Sequence, residues 1–222
     1  MCRFLLAKSD QELEPQELLA AFAGMCRNSR APDGDWQGDG WGVAWRQEGE
    51  WKLYKSLQPI WEDAQAFAAV PPTRLLVAHA RSAGFPDQKG ILAYNQPYVQ
   101  DSLCFVFNGM IRGVRLPQGL EGEIGAQKIF AWLRQELERK DPAEALQGLD
   151  RVIRSRSRRV VGMNIGVVRE DTFGLLCDYG DVENAAYFGL NYLQQEGRTL
   201  VCSEPLAGYP WNKMSRGQVR LL

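Results

Sequence analysis

The sequence predicts an α+β fold built in layers, and three observations predict it. Strand-like runs open the chain, two amphipathic helices occupy its middle, and strands joined by short polar turns fill its C-terminal third. That order argues against an alternating, parallel α/β sheet. The 222 residues, 45% hydrophobic and 24% charged, suit one soluble domain over 1–222 with a sizeable core.

The first strand is expected from Cys2 to Ala7. A helix follows from about Pro15, where Leu18, Leu19, Phe22, Met25 and Cys26 recur at helical spacing. The stretch Asn28 to Asp39, rich in Pro, Gly and Asp, reads as a loop, and it opens into a hairpin of Trp41-Gly42-Val43-Ala44-Trp45 and Trp51-Lys52-Leu53-Tyr54. A short helix is expected near Trp61 to Ala69. Leu75 to Ala80 and Leu103 to Phe107 are short apolar runs bounded by turn formers, as central strands are. Helices from about Ala126 to Arg139 and Ala143 to Arg154 each carry one apolar face able to cover a sheet. The remaining strands are placed at Val160 to Val168, Thr172 to Asp178, Ala186 to Leu193 and Thr199 to Cys202.

Composition narrows the function. A formal net charge of −1 gives no reason to expect nucleic acid or anionic lipid, so a small-molecule role is favoured. The run Arg154-Ser155-Arg156-Ser157-Arg158-Arg159 lacks the interleaved aromatics of a single-strand platform and reads as a solvated helix end. The apolar run after Met1 is broken by Lys8, too soon for a signal core or a membrane span. Five cysteines without a CxxC pair read as reduced thiols of a cytoplasmic protein. No metal site is expected, because the lone histidine, His79, has no nearby second ligand and reads as a buried structural residue. Gly38-Asp39-Gly40-Trp41-Gly42 has the wrong spacing for a dinucleotide loop, and no helix follows it.

Two features carry chemistry. Cys2 is small enough that Met1 is expected to be removed, which leaves a free α-amine beside the thiol. An α-amine ionises at about 7.7–8.0 and can serve as general base near neutral pH without a histidine. The second feature is Phe105-Val106-Phe107-Asn108-Gly109-Met110-Ile111, where an apolar strand is expected to end in a sharp turn at Asn-Gly. There the Asn108 carboxamide and the Gly109 amide can point at a developing oxyanion, a contribution of roughly 3–4 kcal/mol for each donor.

Met1-Cys2-Arg3, Gly38-Asp39-Gly40-Trp41-Gly42, His79-Ala80-Arg81-Ser82-Ala83, Asn108-Gly109 and Ser203-Glu204-Pro205-Leu206 stand in the order found in class II glutamine amidotransferases. The chain resembles their stand-alone bacterial branch over essentially its whole length. The resemblance implies the N-terminal nucleophile hydrolase fold, a four-layer αββα sandwich of two antiparallel sheets between helices. It implies Cys2 as nucleophile with its own amine as base, Asn108 and Gly109 as the oxyanion hole, and Arg81 as the clamp on the substrate's α-carboxylate. Asp39 and Trp41 either line the pocket or shape the Gly-rich loop. The reaction implied is cleavage of the side-chain amide of glutamine or of a γ-glutamyl compound through a thioester, with no cofactor.

The sequence departs from the family at Gly125, where relatives carry an aspartate for the substrate's α-ammonium, with Glu121 or Glu123 as replacements from the preceding loop. It also has Gln96 where relatives show histidine. Three functions stay open: a glutaminase passing ammonia to a separate synthase subunit, a γ-glutamyl amide hydrolase acting alone, and a catalytically silent binding or regulatory module.

Overall fold

The computed structural model of the chain describes residues 1–180 and 182–222. In chain order its elements are β1 (Arg3–Leu13), α1 (Pro15–Asn28), β2 (Trp41–Gln47), β3 (Glu50–Ser56), β4 (Thr73–Ala80), β5 (Tyr98–Gln100), β6 (Leu103–Arg112), α2 (Gly125–Leu137), α3 (Pro142–Arg156), β7 (Arg159–Arg169), β8 (Thr172–Tyr179), α4 (Ala185–Phe188), β9 (Asn191–Gln195), β10 (Arg198–Cys202), β11 (Asn212–Lys213) and β12 (Gln218–Leu221). One sheet runs β11-β9-β10-β1-β4-β2-β3 and the other β12-β8-β7-β6-β5. Their ladders are antiparallel.

Alternation along the strands sorts the apolar residues into layers. On β1, Leu5 and Ala7 join Leu18, Leu19 and Phe22 of α1 in an outer core. Phe4 and Leu6 face inward and meet Val106, Val168 and Leu175 of the second sheet. Phe105, Ile165 and Val167 face outward against Phe130, Leu133, Leu146 and Leu149 of α2 and α3. Each buried side chain of this kind contributes about 1.5–3 kcal/mol. The sheets approach closely enough that a Cβ at Gly166 would stand 3.0 Å from Leu6 Cδ1. The result is helix, sheet, sheet, helix: the αββα sandwich.

Local chemistry sets the helix ends. Pro15 and Pro142 open α1 and α3, and Asp141 caps α3 by accepting the Glu144 amide at 2.9 Å. Gln127 reaches back at the start of α2, its Oε1 accepting the amides of Glu123 at 2.8 Å and Ile124 at 3.2 Å. Among the described residues no helix is long and apolar enough to cross a membrane.

Several expectations change. β6 does not turn at Asn108-Gly109 but continues to Arg112, with a register shift after Met110. Gly109 is needed there because a Cβ would collide with the Gly162 carbonyl oxygen and, at 2.7 Å, with the Phe107 ring. The segment expected as a strand from Ala186 opens instead as α4, with β9 beginning at Asn191. The arginine run is more than a solvated helix end: Arg154 pairs with Asp150 at 3.1 Å and with the buried carboxylate of Asp178.

Candidate active site

Alternation also decides which polar side chains can meet. Phe4 and Leu6 face the layer between the sheets, so Cys2 continues that row. On β6 the inward residues are Cys104 and Val106, and the next inward position is Asn108. In the β1–β4 ladder Arg3 pairs with Ala80 and Phe4 with His79, which brings the residues after β4 beside Cys2. The Ser82 amide donates to Cys2 Sγ at 3.3 Å, and Sγ lies 3.5 Å from the Ser82 carbonyl oxygen. His79 Nε2 donates to the Phe107 carbonyl oxygen at 3.2 Å, which ties this end of the first sheet to the residue before Asn108.

The start of the chain is firmly held. Arg3 is fully buried; it donates to Ser29 Oγ at 2.9 Å and to the Tyr187 carbonyl oxygen at 3.0 Å, and pairs with Glu204 at 3.0 Å. Ser203 Oγ accepts the Phe4 amide at 2.8 Å. The Ser203-Glu204 pair singled out in the sequence thus fixes the first residues of β1. The Met1 α-ammonium donates to Asp35 Oδ2 at 2.5 Å and to the Tyr187 hydroxyl at 3.1 Å, and Ser82 Oγ donates to the same Asp35 oxygen. Burial raises the Asp35 carboxyl, but these two hydrogen bonds and the ammonium charge outweigh it and hold the group below its ordinary value.

Cys2 is partly exposed, whereas Cys26, Cys104, Cys177 and Cys202 are buried. Burial pushes Cys177 up to about 11 and Cys202 up to about 12, so these thiols stay protonated and inert. Burial also raises Cys2, against the opposing pull of the Ser82 amide, the α-ammonium and Arg81. A thiol held protonated requires a base. His79 does not serve, because burial depresses it to about 3 and its Nε2 proton is committed to Phe107.

Asn108 is fully buried, and neither its Nδ2 nor its Oδ1 has a hydrogen-bond partner. Leaving such a group unpaired costs about 1–3 kcal/mol, and native structures seldom retain one without a use. The backbone just before it is held rigidly. Gln96 Oε1 accepts the Phe107 amide at 2.6 Å, and Gln96 Nε2 donates to the Phe107 carbonyl oxygen at 3.3 Å.

Arg81 is buried, and neutral oxygens hold its guanidinium: Asn95 Oδ1 at 3.3 Å and the Gln88 carbonyl at 2.7 Å. Among the described residues no carboxylate pairs with it. Asp39 shapes the loop beyond β4, accepting the Ala83 amide at 2.8 Å and pairing with Lys89 at 3.1 Å. Trp41 does not line the site. Its ring is buried in the outer core against Tyr54 and Phe67, with Nε1 donating to Asp63 at 2.9 Å. The cause is register: Trp41 pairs with Ala80, an outward residue of β4.

Gly125 opens α2 with nothing within 4 Å of a Cβ built there. Of the two acids before it, Glu121 pairs with Arg134 at 3.4 Å, while Glu123 accepts from the Tyr94 hydroxyl at 2.6 Å. The Tyr94 ring lies 5.7 Å from the Arg81 guanidinium, so Glu123 is the acid on the Arg81 side. Sequence reasoning missed Asp35, Asn95 and Tyr187, whose roles arise from contacts remote in the chain. Among the described residues no three His, Cys, Asp or Glu side chains converge as a metal ion needs. A cavity of about 700 Å³ around Lys8, Asp10, Arg46 and Arg198 lies at the far end of β1, away from Cys2.

The sequence matches no protein-family model and no curated protein. Solved structures do match. A glutamine aminotransferase class-II domain protein from Silicibacter pomeroyi superposes with a TM-score of 0.69 at 17% identity, over 99% of this chain and 94% of that one. A predicted glutamine amidotransferase from Pseudomonas aeruginosa gives 0.59 at 14% identity, over 99% and 96%. The glutamine phosphoribosylpyrophosphate amidotransferase of B. subtilis gives 0.68 at 12% identity, over 99% of this chain but 47% of that one. At such identities the likeness speaks for architecture, and the chain has the N-terminal nucleophile hydrolase fold of the class II glutamine amidotransferase domains.

Proposed function

We propose that the chain, once Met1 is removed, is an amidohydrolase that cleaves the side-chain amide of glutamine or of a γ-glutamyl compound. The observation that carries this reading is a partly exposed Cys2 thiol and a fully buried, unpartnered Asn108 carboxamide, each continuing the inward-facing row of one of the two facing sheets. The α-amine of Cys2 takes the thiol proton as sulfur adds to the amide carbon. Asn108 Nδ2 and the Gly109 amide stabilise the oxyanion. The α-amine then gives its proton to the leaving nitrogen, the C–N bond breaks, and ammonia or an amine departs. Water hydrolyses the γ-glutamyl thioester to the free acid and regenerates the thiol.

Arg81 grips the α-carboxylate, a role suited to a planar guanidinium that no carboxylate among the described residues neutralises. Glu123 takes the α-ammonium in place of the aspartate that Gly125 does not supply. A reactive thiol at the chain start keeps its activity in a reducing compartment, which favours a cytoplasmic setting for the reaction. Water is the acceptor for the chain alone, and a synthase subunit that captures the ammonia would use the same steps.

The test is release of ammonia or amine from glutamine and from γ-glutamyl amides, with native protein and Cys2→Ala compared at equal folded content by circular dichroism. Hydrolysis by the native protein and its abolition in Cys2→Ala is the expected result. Full activity in Cys2→Ala refutes the nucleophile, and no turnover of any γ-glutamyl amide by the native protein favours the silent module.

A further inference from the structure

The nitrogen that must protonate the leaving amine is the one to which the Met1 carbonyl is bonded before excision. The space Met1 vacates therefore begins where the leaving group begins. Its side chain lies in a slot floored by Gly162, where a Cβ would stand 2.8 Å from Met1 Cε, and walled by Phe188. This slot runs into a cavity of about 210 Å³ lined by Met110, Val161 and Phe188, with Arg112 and Arg159 also on its wall. It lies across β1 from the Arg81 side, since Arg81 follows β4 and Phe188 precedes β9, and these strands belong to opposite halves of the sheet about β1.

Arg112 and Arg159 are exposed and stand directly opposite one another in the β6–β7 ladder. Like charges so placed repel, and among the described residues neither has an ion-pair partner. Asp33 and Asp35 line the same cavity; Asp33 Oδ1 accepts the Asp35 amide at 3.2 Å, and Asp35, which loses the α-ammonium when Met1 leaves, keeps the Ser82 hydroxyl. Among the described residues neither carboxylate pairs with Arg112 or Arg159, so the two guanidinium groups stand unpaired beside the apolar body of Met110, Val161 and Phe188.

We propose that this slot is the leaving-group site, and that the preferred substrates are γ-glutamyl amides whose amine carries an apolar body and an anionic terminus. The assignment rests on the amidohydrolase reading above and deepens it. The γ-glutamyl half sits toward Arg81, the apolar body of the amine replaces the Met1 side chain over Gly162, and its carboxylate lies between Arg112 and Arg159. Cleavage is the thioester sequence already described, with the amine leaving protonated by the Cys2 α-amine and water completing hydrolysis.

The experiment compares three substrates with Met1-free protein: glutamine, γ-glutamylphenethylamine, and γ-glutamylphenylalanine, which differs from the second by its carboxylate. The expected result is a kcat/KM for γ-glutamylphenylalanine at least about tenfold above that for γ-glutamylphenethylamine, consistent with a charge-assisted contact. In Arg112→Gln/Arg159→Gln this ratio should fall toward one, chiefly through KM. Equal hydrolysis of the two amides by the native protein, a ratio the double variant does not change, or hydrolysis of glutamine alone overturns the leaving-group site and leaves the amidohydrolase reading standing. Failure to hydrolyse all three overturns both.

Discussion

His79 Nε2 donates to the Phe107 carbonyl oxygen at 3.2 Å, and this bond crosses from the first sheet to the second one residue before Asn108. Because burial depresses His79 to about 3, the folded protein keeps it neutral where an unfolded chain, with a value near 6.5, binds a proton. The unfolded state thus binds more protons between these two values, and stability falls as pH falls through that window, by at most about 1.4 kcal/mol per pH unit. Chemical denaturation at a series of pH values should show that slope, and His79→Gln, which keeps a donor, should flatten it. A slope that persists unchanged in His79→Gln places its origin elsewhere.

Asn108→Ala removes a carboxamide that is buried without partners. Its kcat is expected to drop about a hundredfold or more through the lost oxyanion donor, while the melting temperature holds or rises because no hydrogen bond within the protein is lost. An unchanged kcat removes Asn108 from the oxyanion hole. A large fall in melting temperature would mark the residue as structural instead.

Gln96 satisfies both polar groups of the Phe107 backbone and acts through Asn108 as a positioning residue. Gln96→Leu leaves the Phe107 amide unpaired, so the strand is free to shift by a fraction of an ångström. Steady-state kinetics should show kcat lowered about tenfold, the order expected when a preorganised donor is misplaced, with KM little changed. A rise in KM at constant kcat would instead assign Gln96 to substrate binding.

The base proposed is the Cys2 α-amine, and it works only when unprotonated. The rate constant kcat/KM should therefore rise with pH and level off with an apparent pKa near the ordinary α-amine range of about 7.7–8.0. A profile flat from about pH 6 to 9 would exclude an amine of ordinary basicity as the base.

Legibility in the sequence followed the range of the forces involved. The α1 helix after Pro15 and the central strand β4 were readable because helical spacing and an apolar run bounded by turn formers are local signals, and the layered α+β class followed from the order of such elements. Asn108-Gly109 misled, because Gly109 answers to the Gly162 carbonyl across the ladder and not to a turn. Trp41 misled because one residue of register separates a pocket side chain from a core one. The strands β5, β11 and β12 are two to four residues long, too short for alternation to register. Cys2, Arg81 and Asn108 stood out as chemistry-bearing types in an ordered set. Asn95 and Asp35 gave no signal, since what they hold lies 14 and 34 positions away in the chain.

The most direct measurement is the intact mass of the purified protein before and after exposure to a glutamine-analogue diazo-ketone, with peptide mapping of any adduct. A mass lacking Met1 and a single adduct on the Cys2 sulfur is the expected result. A retained Met1 would leave no free amine to act as base, and a Met1-free protein that takes up no label would contradict the claim that Cys2 is a competent nucleophile.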